Sequence, residues 1–259
     1  MKMIKIAKVI PSCDKYSSVW GLTIASHKRF GFFNNIPGYI VTNNCLPCYE
    51  GYEPVAVGVD VSWSSNLKKA LKYIDSEYIL LCIDDLIINK PYQIEKQDEI
   101  FILLEQLKPN YLRLNPTPAG SGEVIIKKNI RLIDTEDYYR TSTVFSIFKK
   151  SVLMELLHDN ENAWEFEKRG TQRSRKYGGW FAYCDKSVSY DNLIIKSKIP
   201  LIQKKKYLFF FDSKIFDQFK YMSAKENLIY YLKELALIVF KSIPQKIQFR
   251  LLRWKNNDH

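Results

Sequence analysis

Two adjacent carboxylates, Asp84 and Asp85, follow an apolar run at residues 79–83. Neighbouring like charges repel, and their burial costs free energy unless a positive charge compensates. Hard divalent cations bind carboxylate oxygens and keep coordination positions open for phosphate oxygens. The pair therefore predicts a Mg²⁺ or Mn²⁺ site at the end of a strand. A solvated strand end or a helix N-cap is the alternative interpretation.

Polar clusters also follow two other predicted strands. Ser12 and Asp14 come after the first strand, and Asn43 and Asn44 come after the second. Ligands of open α/β sheets bind at the carboxyl ends of the strands, so we expect these clusters and the carboxylate pair to share one edge. Short polar groups there are candidate ligand contacts. Turn formation, which Asn and Asp favour, is the alternative.

The elements that would position these residues alternate along the chain. Apolar runs predict strands in "MIKIAKVIPS", "GYIVTNN", "PVAVGVDV", "EYILLCI" and "TSTVFSIF". Helical spacing predicts helices in "YSSVWGLTIASHKRF", "SSNLKKALKYI", "QDEIFILLEQLK" and "KKSVLMELLHD", with another starting at Ala163. This order predicts an α/β fold, a mostly parallel, Rossmann-like sheet flanked by helices.

Composition separates the chain into two predicted regions. The 259 residues are 46% hydrophobic, which excludes a disordered protein, and the net charge is +11. The segment 201–259 alone carries 12 Lys/Arg against 5 Asp/Glu. We therefore predict a domain at residues 1–200 and a basic, helical extension at 201–259. Because most of the excess positive charge lies at one end, a nucleic-acid partner is disfavoured.

Cysteines and the N-terminal lysines indicate the compartment. Five cysteines, including a single "CLPC" at Cys45 and Cys48, lack the spacing of a zinc site, and we interpret them as reduced thiols. Lysines at positions 2, 5 and 8 interrupt any apolar signal region. We therefore expect a cytoplasmic protein.

Several of these segments together resemble a known family. "PSCDKYSSVW", "YIVTNN", "SWSSNLKKALKYIDSEYILLCIDDLII" and "NAWEFE" are similar to bacterial family-2 glycosyltransferases of the GT-A fold, which build surface polysaccharides such as O-antigen and capsule. The similarity covers roughly residues 5–200. It implies a nucleotide-diphosphosugar donor, with Asp14, Asn43 and Asn44 as candidate contacts to its base and ribose. It also implies a saccharide or lipid-linked saccharide acceptor and an inverting reaction. Ile83 stands at the first position of the family's Asp-x-Asp motif, so Asp85 aligns with the metal-binding end.

The segment "NAWEFEKRG" contains two glutamates that the family resemblance makes candidates for a catalytic base. An inverting transferase needs one base to deprotonate the acceptor hydroxyl. Glu167 shares a helix face with Trp164, and an aromatic ring beside a carboxylate suits a sugar, so we predict Glu167 as the base and Trp164 as an acceptor contact. Glu165 is the second candidate, although a capping box with Asn162 would explain it structurally.

Two further residues are candidate donor contacts. Trp63 could pack on the donor, and core packing is its alternative. Arg173, from a basic run at 169–176, could bind a diphosphate, and a solvated basic loop is its alternative. A Gly-rich phosphate loop is missing from "PSCDKYSS", which argues against a nucleotidyltransferase. A catalytically inactive scaffold with the same fold remains a further alternative.

The segment "IPQKIQFRLLRWK" predicts membrane attachment. Lys246, Arg250 and Arg253 recur at helical spacing, with Ile247, Leu251 and Trp254 on the neighbouring face. A basic amphipathic helix of this kind suits an anionic membrane surface. We therefore expect peripheral association with the inner face of the cell membrane. Docking of this helix on its own domain or on a partner subunit is the alternative.

Overall fold

The computed structural model describes residues 4–116, 122–125, 129–195, 198–217 and 219–243. The chain divides into two compact units, Met1–Asn192 and Leu193–His259. The first unit contains the sheet and the second contains helices. The functional roles of the two predicted regions stay predictions.

The first unit is an α/β sandwich with two sheets. Its strands are β1 (Ile6–Pro11), β2 (Gly38–Thr42), β3 (Tyr52–Ala56), β4 (Tyr78–Leu81), β5 (Leu86–Ile88), β6 (Tyr111–Arg113), β7 (Val124–Ile125), β8 (Ile130–Leu132), β9 (Ser146–Lys149), β10 (Trp180–Tyr183) and β11 (Tyr190–Asn192). Its helices are α1 (Ser17–Arg29), α2 (Trp63–Leu71), α3 (Ile94–Leu107), α4 (Lys150–Leu156) and α5 (Ala163–Ser174). A 3₁₀ turn, Asp14–Tyr16, leads into α1.

The large sheet has the strand order β3-β2-β1-β4-β9-β6-β10-β8-β7. Strands β1 to β4, β6, β7 and β10 run in one direction, whereas β8 and β9 run in the opposite direction. The predicted α/β fold with a mostly parallel sheet is confirmed. Strand β9 is inserted antiparallel between β4 and β6, with Leu81 paired to Ser146. Residues that precede β9 therefore lie at the same edge as residues that follow β4.

One face of the sheet is covered by α2, α4 and α5. The predicted apolar face of α2 is confirmed, since Leu67, Ala70, Leu71 and Ile74 are all buried in this core. Ser62 caps the helix by accepting a hydrogen bond from the Ser65 amide, as its residue type favours. Strands β1 and β4 are buried along their whole length, which is typical of central parallel strands.

The second unit contains α6 (Leu201–Leu208), a 3₁₀ turn (Ser213–Phe216) and α7 (Ala224–Ser242). Ser223 and Glu226 form a capping box at the start of α7, and Lys198 pairs with Glu226 at 2.6 Å. No helix within the described ranges has the length and apolar content needed to cross a membrane. The basic segment predicted to bind a membrane lies almost wholly in 244–259, outside the described residues.

Candidate functional site

The ends of β1 and β2 are joined by the Asp14 carboxylate. Its two oxygens accept hydrogen bonds from the backbone amides of Asn43, Asn44 and Cys45 at 2.8, 2.9 and 3.1 Å. Burial alone would raise the pKa of Asp14, but these amides outweigh it and hold the pKa below its ordinary value. The Asp14 carboxylate is therefore ionised, and it fixes the loop after β2.

The Asn43 side chain adds two hydrogen bonds that connect the same loops. Its Oδ1 accepts the amide proton of Asp14 at 3.0 Å, and its Nδ2 donates to the Gly58 carbonyl at 3.1 Å. The loops after β1, β2 and β3 are thereby held together. The side chain of Asn44 is exposed, so it is the freer of the two asparagines for contact with a ligand.

Asp84 is fixed at the same edge by two elements. Ser12, after β1, donates its hydroxyl proton to Asp84 Oδ2, and Trp20 of α1 donates to the Ser12 oxygen at 2.7 Å. Thr23, also of α1, donates to the Asp84 carbonyl. Burial raises the pKa of Asp84, and the Ser12 hydroxyl partly opposes this. The polar ends of β1, β2 and β4 do meet at one edge, as the sequence predicts.

Asp85 lies beside Asp84 without such support. Burial and the charge of Asp84 raise its pKa to about 6. Within the described part of the chain, no other residue donates a hydrogen bond to its carboxylate. A partly buried carboxylate pair of this kind fits a divalent cation, which would supply the missing positive charge. No group of three or more His, Cys, Asp or Glu side chains able to hold a metal occurs among the described residues.

Glu167 reaches this edge from α5. Its Oε1 accepts three hydrogen bonds, from the Ser142 hydroxyl at 3.0 Å and from the amide and hydroxyl of Thr143 at 2.6 and 2.9 Å. Both donors precede β9, whose antiparallel direction brings them to the carboxyl ends of its neighbours. Over the described residues, no hydrogen bond is made to the other oxygen, Oε2. The carboxylate is therefore fixed in orientation with one oxygen left to accept a proton.

Glu165 has a structural explanation. Asn162 and Glu165 form the predicted capping box, with hydrogen bonds of 2.9 Å in both directions. Arg169 approaches Glu165 at 3.8 Å. Trp164, on the first turn of α5, is 76% exposed and therefore presents its ring to solvent.

Two predicted donor contacts have protein partners instead. Trp63 packs against Phe166 with ring centroids 5.3 Å apart, so the packing alternative describes it better. The Arg173 guanidinium donates to both carboxylate oxygens of Glu161 at 2.8 and 2.6 Å, and to the Leu156 carbonyl. We therefore reassign Arg173 to holding α5 in place. The remaining cations of the basic run, Arg169, Arg175 and Lys176, also lie within 4.0 Å of carboxylates.

Several residues that hold the site escaped sequence reasoning. Trp20 and Thr23 orient Ser12 and Asp84, and Ser142 and Thr143 orient Glu167. All are polar or aromatic residues within otherwise ordinary helix and loop segments. A polar "RTST" directly before an apolar strand is the one visible signal. The five cysteines are free thiols.

Comparisons with known proteins rest on structure. No family model matches the chain, and no curated protein sequence matches it. Staphylococcus aureus TarS 1–349 in complex with UDP is 11% identical with a TM-score of 0.52, over 72% of this chain and 59% of that one. TarS in complex with UDP-GlcNAc has a TM-score of 0.51 at 10% identity, over 82% of this chain and 69% of that one. The matched region thus spans about three-fifths of the TarS 1–349 chain.

A second kind of protein is similar to the same degree. UTP-bound UGPase from Acinetobacter baumannii is 10% identical with a TM-score of 0.51, over 91% of this chain and 99% of that chain. At such identities the likeness establishes the fold alone. The chain therefore has the GT-A-like α/β fold found in these UDP- and UTP-bound proteins.

Proposed function

We propose that the protein is a glycosyltransferase that moves a sugar from a nucleotide-diphosphosugar to a saccharide acceptor. The observation that carries this proposal is the Glu167 carboxylate, whose Oε1 is fixed by Ser142 and Thr143 while Oε2 stays available. It lies at the sheet edge that also contains Asp84 and Asp85. A fixed carboxylate at the same sheet edge as a carboxylate pair suited to a cation supports activation of a hydroxyl group near a diphosphate.

The donor is assigned to the ends of β1, β2 and β4. Asp14 fixes the loop after β2, and Asn44 offers an exposed amide there for a base or ribose. Asp84 and Asp85 would hold Mg²⁺ or Mn²⁺. When bound, the ion would stabilise the negative charge of the leaving diphosphate. UDP and UDP-GlcNAc complexes of proteins with this fold support a nucleotide donor.

The acceptor is assigned to the side of Glu167. Glu167 Oε2 takes the proton of the attacking hydroxyl, which then forms a bond to the anomeric carbon as the bond to the diphosphate breaks. Attack from the face opposite the leaving group inverts the anomeric configuration. Trp164, three residues before Glu167 on α5, offers an exposed ring to the acceptor. A lipid-linked saccharide at the inner face of the membrane is the acceptor we favour.

A thermal-shift panel gives the first test. UDP, GDP, dTDP and CDP are each added with and without Mn²⁺, because a ligand that binds only the native state raises the melting temperature. We expect one nucleoside diphosphate to raise it, and more so with Mn²⁺. The matching nucleotide-sugars are then incubated with the protein, and release of the nucleoside diphosphate is measured. Binding without release would indicate the inactive scaffold instead.

Nucleotidyl transfer is the second candidate. It is favoured by the similarity to UTP-bound UGPase, which extends over nearly the full length of both chains. Against it, the segment between β1 and α1 contains no glycine, whereas phosphate-binding loops use glycines for close backbone approach. The products separate the two reactions. Consumption of a nucleotide-sugar that depends on added pyrophosphate and yields a nucleoside triphosphate would overturn glycosyl transfer.

A further inference from the structure

A cavity of about 360 Å³ lies beside α5. One wall is the segment 136–139, and the other consists of Lys168, Thr171, Gln172 and Arg175 from the second half of α5 and its C-cap. Its volume is within the range of small-molecule sites, about 300–1,000 Å³. None of the roles assigned above uses this cavity.

The cavity continues the helix face that carries the proposed base. Trp164, Lys168, Thr171 and Arg175 follow one another at intervals of four, three and four residues, so they share one face of α5. The Thr171 hydroxyl donates to the Glu167 carbonyl at 2.7 Å. On the opposite wall, burial raises the pKa of the Tyr139 phenol, and the charges of Tyr138 and Glu167 add to this effect. The Thr143 amide also donates to Glu167, so the segment after Tyr139 runs along α5, and the cavity lies about one helical turn from Glu167.

The wall opposite α5, segment 136–139, is held in place by two buried arginines. Buried Arg113 donates to the carbonyls of Tyr139 and Arg140. Buried Arg140 donates to the carbonyls of Asp134, Ser174 and Tyr177, and its guanidinium lies 4.5 Å from the Trp180 ring centroid. Tyr139 itself has φ of 50°, an uncommon conformation for a bulky residue. Such backbone strain persists where surrounding contacts impose it, as they commonly do at binding sites.

The chemistry of the lining favours an uncharged ligand. Two carboxylates, Glu136 and Asp137, balance Lys168 and Arg175, and Glu136 pairs with Arg175 at 3.0 Å. The carboxylates would repel a phosphate. The side chains of Lys168 and Gln172 make no hydrogen bond within the described ranges, so their donors remain available for hydroxyl groups.

The aromatic residues complete a saccharide site. Tyr138 is 65% exposed, and its ring meets that of Tyr139 edge to face with centroids 4.6 Å apart. Such rings provide apolar area for the C–H face of a sugar together with a polar hydroxyl. Building on the function proposed above, we propose that this cavity binds a neutral saccharide ring of the acceptor next to Glu167.

Direct binding tests the proposal without relying on turnover. Saturation-transfer NMR is measured on the full chain with methyl glycosides of glucose, galactose, mannose, rhamnose and N-acetylglucosamine. At least one should bind. Tyr138→Ala should weaken its affinity about tenfold or more, whereas Tyr138→Phe, which keeps the ring, should retain most of it. Tyr73, after α2, is exposed to a similar extent (79%), so Tyr73→Ala is the matched control and should bind as the wild type does.

The outcomes distinguish this proposal from the function on which it rests. Melting temperatures of the variants first verify folding. Equal affinity of wild type and Tyr138→Ala, or no binding of any of the five glycosides to the wild type, would overturn the saccharide site. Nucleoside diphosphate release by the wild type without any acceptor is measured separately. If that release is absent while Tyr138-dependent saccharide binding is present, glycosyl transfer fails and the site stands.

Discussion

Glu167 and Glu165 lie two residues apart on α5 but have different surroundings. Glu165 accepts the Asn162 amide proton within a capping box, whereas Glu167 is fixed across the fold by Ser142 and Thr143. We expect Glu167→Gln to lower transfer by about 10²–10⁴-fold, the usual effect of losing a general base. Donor affinity should change little, because no proton moves on binding. Steady-state rates and a thermal shift with the nucleotide measure the two quantities.

Glu165→Gln is the matched control, because glutamine can keep the capping box. It should change turnover little and lower the melting temperature slightly. If Glu165→Gln abolishes transfer while Glu167→Gln is active, Glu165 is the general base and the assignment of Glu167 is wrong.

Asp85 gives a prediction about the metal ion. Its carboxylate is partly buried, next to Asp84, and its pKa is raised to about 6. Replacing it by Asn removes one negative charge, so the fold should be retained or slightly stabilised while Mn²⁺ affinity falls. We expect the Mn²⁺-dependent part of the nucleotide-induced thermal shift to disappear in Asp85→Asn. Full transfer activity of this variant in the presence of EDTA would exclude a role for the ion.

His27 predicts a pH dependence of stability. It is buried, its Nδ1 contacts the Tyr52 hydroxyl at 2.5 Å, and its Nε2 has no partner in the described structure. Burial, with the charge of Lys8, holds its pKa well below the ordinary 6.5. Below pH 6.5 the unfolded chain therefore binds a proton that the folded chain does not. The free energy of unfolding should fall by up to about 1.4 kcal/mol per pH unit there.

His27→Gln isolates this contribution from that of the carboxylates. The variant is less stable than the wild type at pH 7.5 because glutamine fills the site imperfectly, but it lacks the titrating ring. Urea denaturation at pH 7.5 and 5.5 should show the difference in stability narrowing at the lower pH. A difference that is the same at both values would contradict a neutral, proton-excluding His27.

At the scale of elements, α5 depends on a buried ion pair. Glu161 is 2% exposed and binds Arg173 through both oxygens, while its backbone bonds to Ser64 of α2. Glu161→Ala leaves the Arg173 charge without its partner, and the cost of breaking such a pair is about 3–5 kcal/mol. Thermal denaturation should reveal this loss. Lys5 and Asp75 form a solvent-exposed ion pair, so Asp75→Ala should leave the melting temperature nearly unchanged.

Local patterns explain what could be predicted among these elements. The capping box at Asn162 spans four residues, and the buried face of α2 spans two turns, so each is visible in the sequence. The direction of β9 is not, because an apolar strand has the same side-chain pattern whichever way it runs. Its antiparallel insertion decides that Ser142 and Thr143 reach Glu167. The donor contact predicted for Arg173 rests on the basic run, and nothing in that run reveals that Arg173 pairs with Glu161.

At the scale of the whole molecule, the fold class follows from the alternation of strands and helices, while the function depends on side chains at one sheet edge. The similarity to TarS and to UGPase at 10–11% identity illustrates this, since proteins bound to different uridine nucleotides have the same architecture. The reaction that the protein catalyses therefore depends on side chains such as Glu167 and the Asp84–Asp85 pair rather than on the fold.

The last prediction concerns attachment of the chain to a membrane surface. Helix α7 exposes an apolar stripe at intervals of four, three and four residues: Leu228, Leu232, Leu235 and Val239, each about 60% exposed. The sequence beyond it, 244–259, is basic and amphipathic. An apolar stripe together with basic residues binds anionic lipid through two additive contributions.

We expect the protein to co-sediment with vesicles containing phosphatidylglycerol, and less so at high salt, because salt screens the lysines and arginines. Deleting residues 243–259 should abolish most of this binding while transfer to a soluble acceptor persists. If the truncated chain binds vesicles as well as the full chain does, residues 243–259 are not the attachment site. The apolar stripe of α7 would then be the next segment to substitute.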